Sequence, residues 1–273
     1  MKLATLWISG RIHNLGALCL SSWLDHGFDV DLYHLGPVEN VPAGVRLRPA
    51  AEVLPADLIP RLKPLRYTER ANIQSTLSYS DLFRMKLMEL GRGLWLDCDV
   101  LLFRPFDIDP GKPFFAWEDR HRIGASVFYL PEDCEMIRDY NRVYDHPDLM
   151  PHWLGFRRRV LKPALWRLQG KPFSPRDLGI TIYGNDAFSR LIKKHKLTQY
   201  ALGTKPFYCW NGKQTTRFFD PTDKWRLEDD PDITGLHVHC KTRPNHRPTP
   251  DSLFGRMLKR HADRLPADMT WQS

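Results

Sequence analysis

The chain has 273 residues, 42% of them hydrophobic and 12% aromatic, with a formal charge of +8. That content supplies a sizeable core and excludes a disordered or collagen-like polypeptide. No apolar run reaches the roughly 18 residues of a spanning helix. The five cysteines include no CxxC pair, so neither a disulfide framework nor a zinc knuckle is indicated, and a reducing, cytoplasmic setting is expected.

Residues 3–8 form a short apolar run that stops at Ser9-Gly10-Arg11, too short for a secretory signal and suited to a first buried strand. Residues 17–26 have helical spacing, with Gly27 as the stop. Residues 28–35 alternate apolar and polar, as a half-buried strand does. Residues 36–66 read as loop with short helical turns. Ser80 can cap a helix over 81–90, which Gly91-Arg92-Gly93 ends. An apolar strand over 93–96 leads into Asp97-Cys98-Asp99, and further strands are expected over 114–117 and 125–130. Strands alternating with helices predict an α/β fold. One domain over 1–273 is expected, with a helical basic insertion around 133–175.

Asp97 and Asp99 are two carboxylates one residue apart at the end of a buried strand. Both would desolvate beside a like charge, which is costly. On a strand, positions i and i+2 face one side, so both would converge on one locus. A hard divalent cation relieves the repulsion, and oxygen ligands suit Mg²⁺ or Mn²⁺. Solvated acids in an ordinary loop are the competing reading. Asp81 and Arg84, at i and i+3, share one helix face, where a solvated ion pair is the plain alternative.

The stretch SYSDLFRMKLMELGRGLWLDCDVLLFRPF resembles the donor-binding region of DxD glycosyltransferases with the GT-A fold. LWISGRIHNLGALCLSSWLDHGFDVDLYHL is similar to the opening of bacterial family 32-type enzymes of capsular polysaccharide and lipopolysaccharide synthesis. The two stretches cover about the first 110 residues. Arg92 and Trp95 depart from the pattern, at positions that carry none of its acids. The resemblance implies that Asp81 and Arg84 reach donor-sugar hydroxyls and that Asp99 ligates the metal. It places Asp97 on the ribose, the sugar or the metal shell. Trp7 would lie against the nucleotide base, or else serve as an ordinary core Trp.

Residues 236–244, LHVHCKTRP, are similar to a His-x-x-G-x-x-Lys-Pro element of retaining family 8-type enzymes. Matching them puts His237 on the metal, with His239 as substitute, and Arg243 on the leaving diphosphate; Cys240 stands in the glycine's place. Gly184-Asn185-Asp186 precedes a helix over 187–195. The loop resembles the place where retaining enzymes set an amide or carboxylate beside the anomeric carbon, which implies that role for Asn185 or Asp186; the plain alternative is that one of them caps the helix.

Charge is unevenly spread. Residues 151–215 hold thirteen Lys and Arg against two acids, a local +11 that leaves −3 on the rest. Within 157–171, Arg157, Arg158, Arg159, Lys162, Arg167 and Lys171 occur without an acid, with Trp166 and Phe173 nearby. Such a mixture suits an anionic membrane interface or a nucleic-acid strand. No recognised nucleic-acid motif accompanies it, so an interface holding a lipid-linked or glycan acceptor is expected, and no nucleic acid. A second amphipathic stretch, 253–265, reads as a C-terminal helix.

These readings converge on a GT-A-like domain, for which the resemblance implies a Rossmann-like mixed central sheet, with a nucleotide-sugar half at 1–130 and an acceptor or closing half at 131–273. The expected activity is transfer from a nucleotide sugar, most simply a UDP-sugar, with Mn²⁺ or Mg²⁺, and with retention as the resemblance implies. The alternatives are a sugar nucleotidyltransferase, which would want a Gly-rich N-terminal loop, and a non-catalytic carbohydrate- or nucleic-acid-binding protein.

Overall fold

In chain order the elements begin with strand β1 (Lys2–Trp7), β2 (Gly10–Arg11), helix α1 (Asn14–Asp25), β3 (Asp29–His34), β4 (Val38–Glu39) and β5 (Arg46–Pro49). Next come α2 (Leu58–Arg61), α3 (Ala71–Glu89), β6 (Leu94–Leu96), β7 (Val100–Leu102), β8 (Phe114–Trp117) and β9 (Ile123–Tyr129). The chain continues through α4 (Glu135–Asn141), α5 (Lys162–Leu168), α6 (Asn185–Lys194), β10 (Ala201–Leu202), α7 (Lys205–Tyr208), β11 (Gly235–His237) and α8 (Leu253–Arg260). This computed structural model describes residues 1–273 except 67, 68, 70, 211, 222–225, 239–244, 272 and 273.

Seven strands form one mixed sheet in the order β10-β8-β9-β6-β1-β3-β5. β1 runs parallel to β3 and to β6, whereas β9 is antiparallel to both of its neighbours. Strand alternation splits the core between the two faces of the sheet. Ala4, Trp95 and Phe128 pack with α3, α4 and α6, and Leu3, Leu94, Leu96 and Val127 pack with α1, α7 and α8. The result is a Rossmann-type mixed α/β fold. Strand order reverses on either side of β1, the switch point outside which ligands bind in open α/β sheets.

Two expectations about elements need correction. α3 starts at Ala71, so Ser80 lies mid-helix and caps nothing. Ser75 and Ser78 are buried in its first half and return their hydroxyls to the helix's own carbonyls at Asn72 and Gln74, 2.8 and 3.0 Å away. Satisfied in this way, they need not end the helix. The stretch read as loop contains β5, which pairs with β3 at the sheet edge and is largely exposed, so it shows no apolar alternation.

Candidate metal and donor site

β6 leaves the sheet at Leu96, and its last tie is the bond from Asp97 N–H to Ser126 O at 2.8 Å. The chain then turns, closed by Val100 N–H donating to Asp97 O at 3.0 Å. Asp97-Cys98-Asp99 is therefore a turn between β6 and β7, and the expected strand pleat is not what brings the acids together. Cys98 points inward to Thr5 Oγ1 at 3.1 Å, and burial pushes its thiol up to about 12.

β7 is anchored from both sides. Trp23 of α1 donates its indole N–H to Val100 O at 2.7 Å. β11 pairs antiparallel with β7, with His237 opposite Val100, and Val238 N–H bonds Asp99 O at 2.8 Å. His237 Nε2 thus lies 3.3 Å from Asp99 Oδ1 and 3.2 Å from Ser126 Oγ. Asp97, Asp99 and His237 each present one ligand atom, all within 4.8 Å of one another. Two carboxylates and an imidazole fit a divalent cation: the oxygens suit Mg²⁺ or Mn²⁺, and the nitrogen favours a transition ion. Burial opposes charge on the His237 ring, but Asp99 beside it outweighs that and raises its pKa.

Arg84 wires this turn to α3. Its guanidinium lies 3.4 Å from both Asp81 Oδ1 and Asp97 Oδ1, donates to Ala125 O at 2.6 Å, and stacks 4.9 Å from the Trp95 ring centroid. Trp95 Nε1 donates to Asp97 Oδ1 at 2.7 Å. The Asp81 and Arg84 side chains are only 13% and 12% exposed, so this is not an ion pair on a solvated surface. Burial pushes the Asp81 carboxyl up to about 6, against the pull of Arg84 and Arg176. A Cβ on Gly184 would stand 2.6 Å from Asp81 Oδ1, so the carboxyl rests against the entry to α6.

At that entry the two predicted residues take different partners. Asn185 Nδ2 donates to the buried Glu118 at 2.8 Å, and its Oδ1 accepts from Ala125 N–H at 3.2 Å. Asp186 forms ion pairs with Arg158 and with Arg190. Neither caps α6 by its side chain, since Gly184 is the cap residue. Trp7 ends β1 edge-on to His13, 5.1 Å between centroids, with its Nε1 buried and, among the described residues, without a hydrogen-bond partner. With Thr76, Leu77 and Ser80 it lines a cavity of about 270 Å³. Arg243 and His239 lie outside the described residues.

Sequence reading missed Glu118 and Arg176. Glu118 carries the signal that exposed Asp97, an acid directly after an apolar strand. Arg176 is buried and donates to Gln74 O and Gly179 O at 3.2 and 2.6 Å; nothing local distinguishes it within the basic block. The aromatic part of that block also needs correction. Trp166 is buried between Arg66 and Lys162, 4.8 and 4.6 Å from its ring, and is not offered to a ligand. Arg158 turns inward to Asp186 and Leu178 O, leaving Arg157 and Arg159 as the outward pair.

No family model matches the chain, and no curated protein matches it. Among solved structures it is similar to one titled "PaToxG Glycosyltransferase", with 9% identity and a TM-score of 0.37, covering 72% of this chain and 84% of that one. A likeness at this level bears on neither the family nor the activity.

Proposed function

We propose that the chain is a family 32-like, metal-dependent glycosyltransferase that moves a sugar from a UDP-sugar to a glycan or lipid-linked acceptor, with retention. One observation carries the reading: Asp97, Asp99 and His237 converge beside Asp81 and Arg84 at the sheet's switch point. Mn²⁺ or Mg²⁺ held by the three donors would supply positive charge for the departing diphosphate. Asp81, pressed between Arg84 and the Gly184 backbone, accepts from donor-sugar hydroxyls, and Arg84 holds that carboxyl and Asp97 in register. Trp7 faces the base. Asn185, fixed by Glu118 and Ala125, stands on the reaction side of α6, whereas Asp186 serves Arg158 and Arg190. Residues 1–130 supply the donor half and 131–273 the closing half, His237 included. Among the described residues no helix is long and apolar enough to cross a membrane. A cytoplasmic enzyme held peripherally at an anionic membrane through 157–171 completes the reading.

The test is turnover of radiolabelled UDP-sugars with Mn²⁺, with and without EDTA. EDTA should abolish donor cleavage. Asp99→Asn should lower it at least 100-fold, about 3 kcal/mol of barrier, with an unchanged circular dichroism spectrum. Wild-type turnover by Asp99→Asn at saturating Mn²⁺ would refute the metal assignment.

A further inference from the structure

A π-helical turn over Arg157–Leu161 runs directly into α5, with Lys162 N–H bonded back to Arg157 O. The wider turn aligns Phe156 with Leu161, five residues on, and α-helical spacing continues that line to Leu165 and Leu168. All four side chains are exposed, Phe156 by 67% and Leu168 by 87%. A soluble helix normally turns such a stripe to the core. Here the core side is occupied by Pro163 and Trp166, so the helix carries a second apolar face directed outward.

Cations flank that stripe without counter-charges. Among the described residues, Arg157, Arg159, Lys162, Arg167 and Lys171 form no ion pair with an acid, and no acid occurs between Asp148 and Asp177. Beside the helix lies a groove of about 830 Å³ lined by Arg61, Arg159, Arg167 and Lys171, with Asp148 as the single acid among its described lining residues and Phe173 on its wall. Its size is that of a small-molecule site, and its charge calls for an anion.

We infer that this face docks on an anionic phospholipid leaflet, with Phe156, Leu161, Leu165 and Leu168 entering the acyl boundary and lipid phosphates entering the groove. The combination of apolar stripe, flanking cations and absent acids is what an interfacial helix requires. The inference rests on the proposed membrane association of 157–171. It is separable from glycosyl transfer, because docking needs neither donor nor metal.

Flotation with phosphatidylcholine vesicles, with and without phosphatidylglycerol, tests it in the presence of EDTA. The full chain should float with the anionic vesicles and remain behind with the neutral ones. L165E/L168E should reduce flotation at least tenfold even at low salt. R159Q/K171Q should reduce it most near physiological salt, where the Debye length is about 8 Å. All four positions are exposed, so melting temperature and Mn²⁺-dependent donor hydrolysis should match wild type. The inference is overturned if wild type ignores anionic vesicles, or if both variants float like wild type. It is equally overturned if wild type self-associates through a contact that L165E/L168E dissolves, for then a second copy covers the stripe. Lost hydrolysis with intact flotation would instead refute the glycosyltransferase reading alone.

Discussion

Asp81 is ionised against its surroundings. Burial raises its carboxyl to about 6, more than Arg84 and Arg176 recover, whereas in an unfolded chain it titrates near 3.9. The folded state therefore binds more protons between these values. Stability contributed by the protonated group is fully present below about pH 4 and is lost as pH rises through 6, on the order of 3 kcal/mol. Asp81→Asn removes that dependence. Relative to wild type, its urea midpoint should rise between pH 4.5 and 7.5; a constant difference would mean that the two arginines neutralise Asp81 completely. A site that keeps so unfavourable a carboxylate fits one whose charge is meant for a ligand.

Between elements, the same electrostatics can fasten. Asp139 of α4 is buried, and its oxygens meet Lys194 and His195 at the end of α6, at 2.7 and 2.9 Å, and His152 at 3.1 Å. Burial alone would raise its pKa, but the hydrogen bonds from Lys194 and His195 outweigh it and hold it at about 2. The clamp's stability is present above pH 4 and lost as pH falls through about 2. Asp139→Asn should destabilise by about 2 kcal/mol at neutral pH, with the difference from wild type vanishing in acid unfolding. Should Asp139→Asn unfold like wild type at pH 7, α4 and α6 are held by apolar packing alone. Clamping α6 matters because its entry carries Gly184, against which Asp81 lies. Gly184→Ala would drive a methyl group into that carboxyl. Transfer should fall at least tenfold while UDP affinity persists, and equal loss of both in titration calorimetry would place the damage in the fold.

Across the whole molecule, the three candidate metal donors join distant parts of the chain: Asp97 and Asp99 precede β7, and His237 ends β11. A cation bound there stabilises only the folded chain. At 100 times its dissociation constant, Mn²⁺ should add about 2.7 kcal/mol, roughly 5 °C in melting temperature at this size. EDTA should reverse the shift, and Asp99→Asn and His237→Ala should each abolish it. A melting temperature indifferent to Mn²⁺ would show that the three side chains merely hydrogen bond among themselves.

The sequence by itself determined what local periodicity and local charge encode. β1, α1, β3, β8 and β9 were legible from apolar spacing within a few residues of their ends, and the acids after β6 from their position behind a buried strand. The excess of cations over 157–171 was legible from counting. Tertiary structure decided the rest, because the deciding contacts are long-range and made by elements too short to carry a pattern. β11 has three residues, yet its pairing with β7 brings His237 onto Asp99. Asp97 and Asp99 converge through a turn, not through strand alternation. α3 extends past Ser80 because its buried serines bond to its own backbone. Arg158 and Trp166, indistinguishable by composition from their neighbours, turn inward because Asp186 and the core receive them, and this leaves Leu161, Leu165 and Leu168 outside.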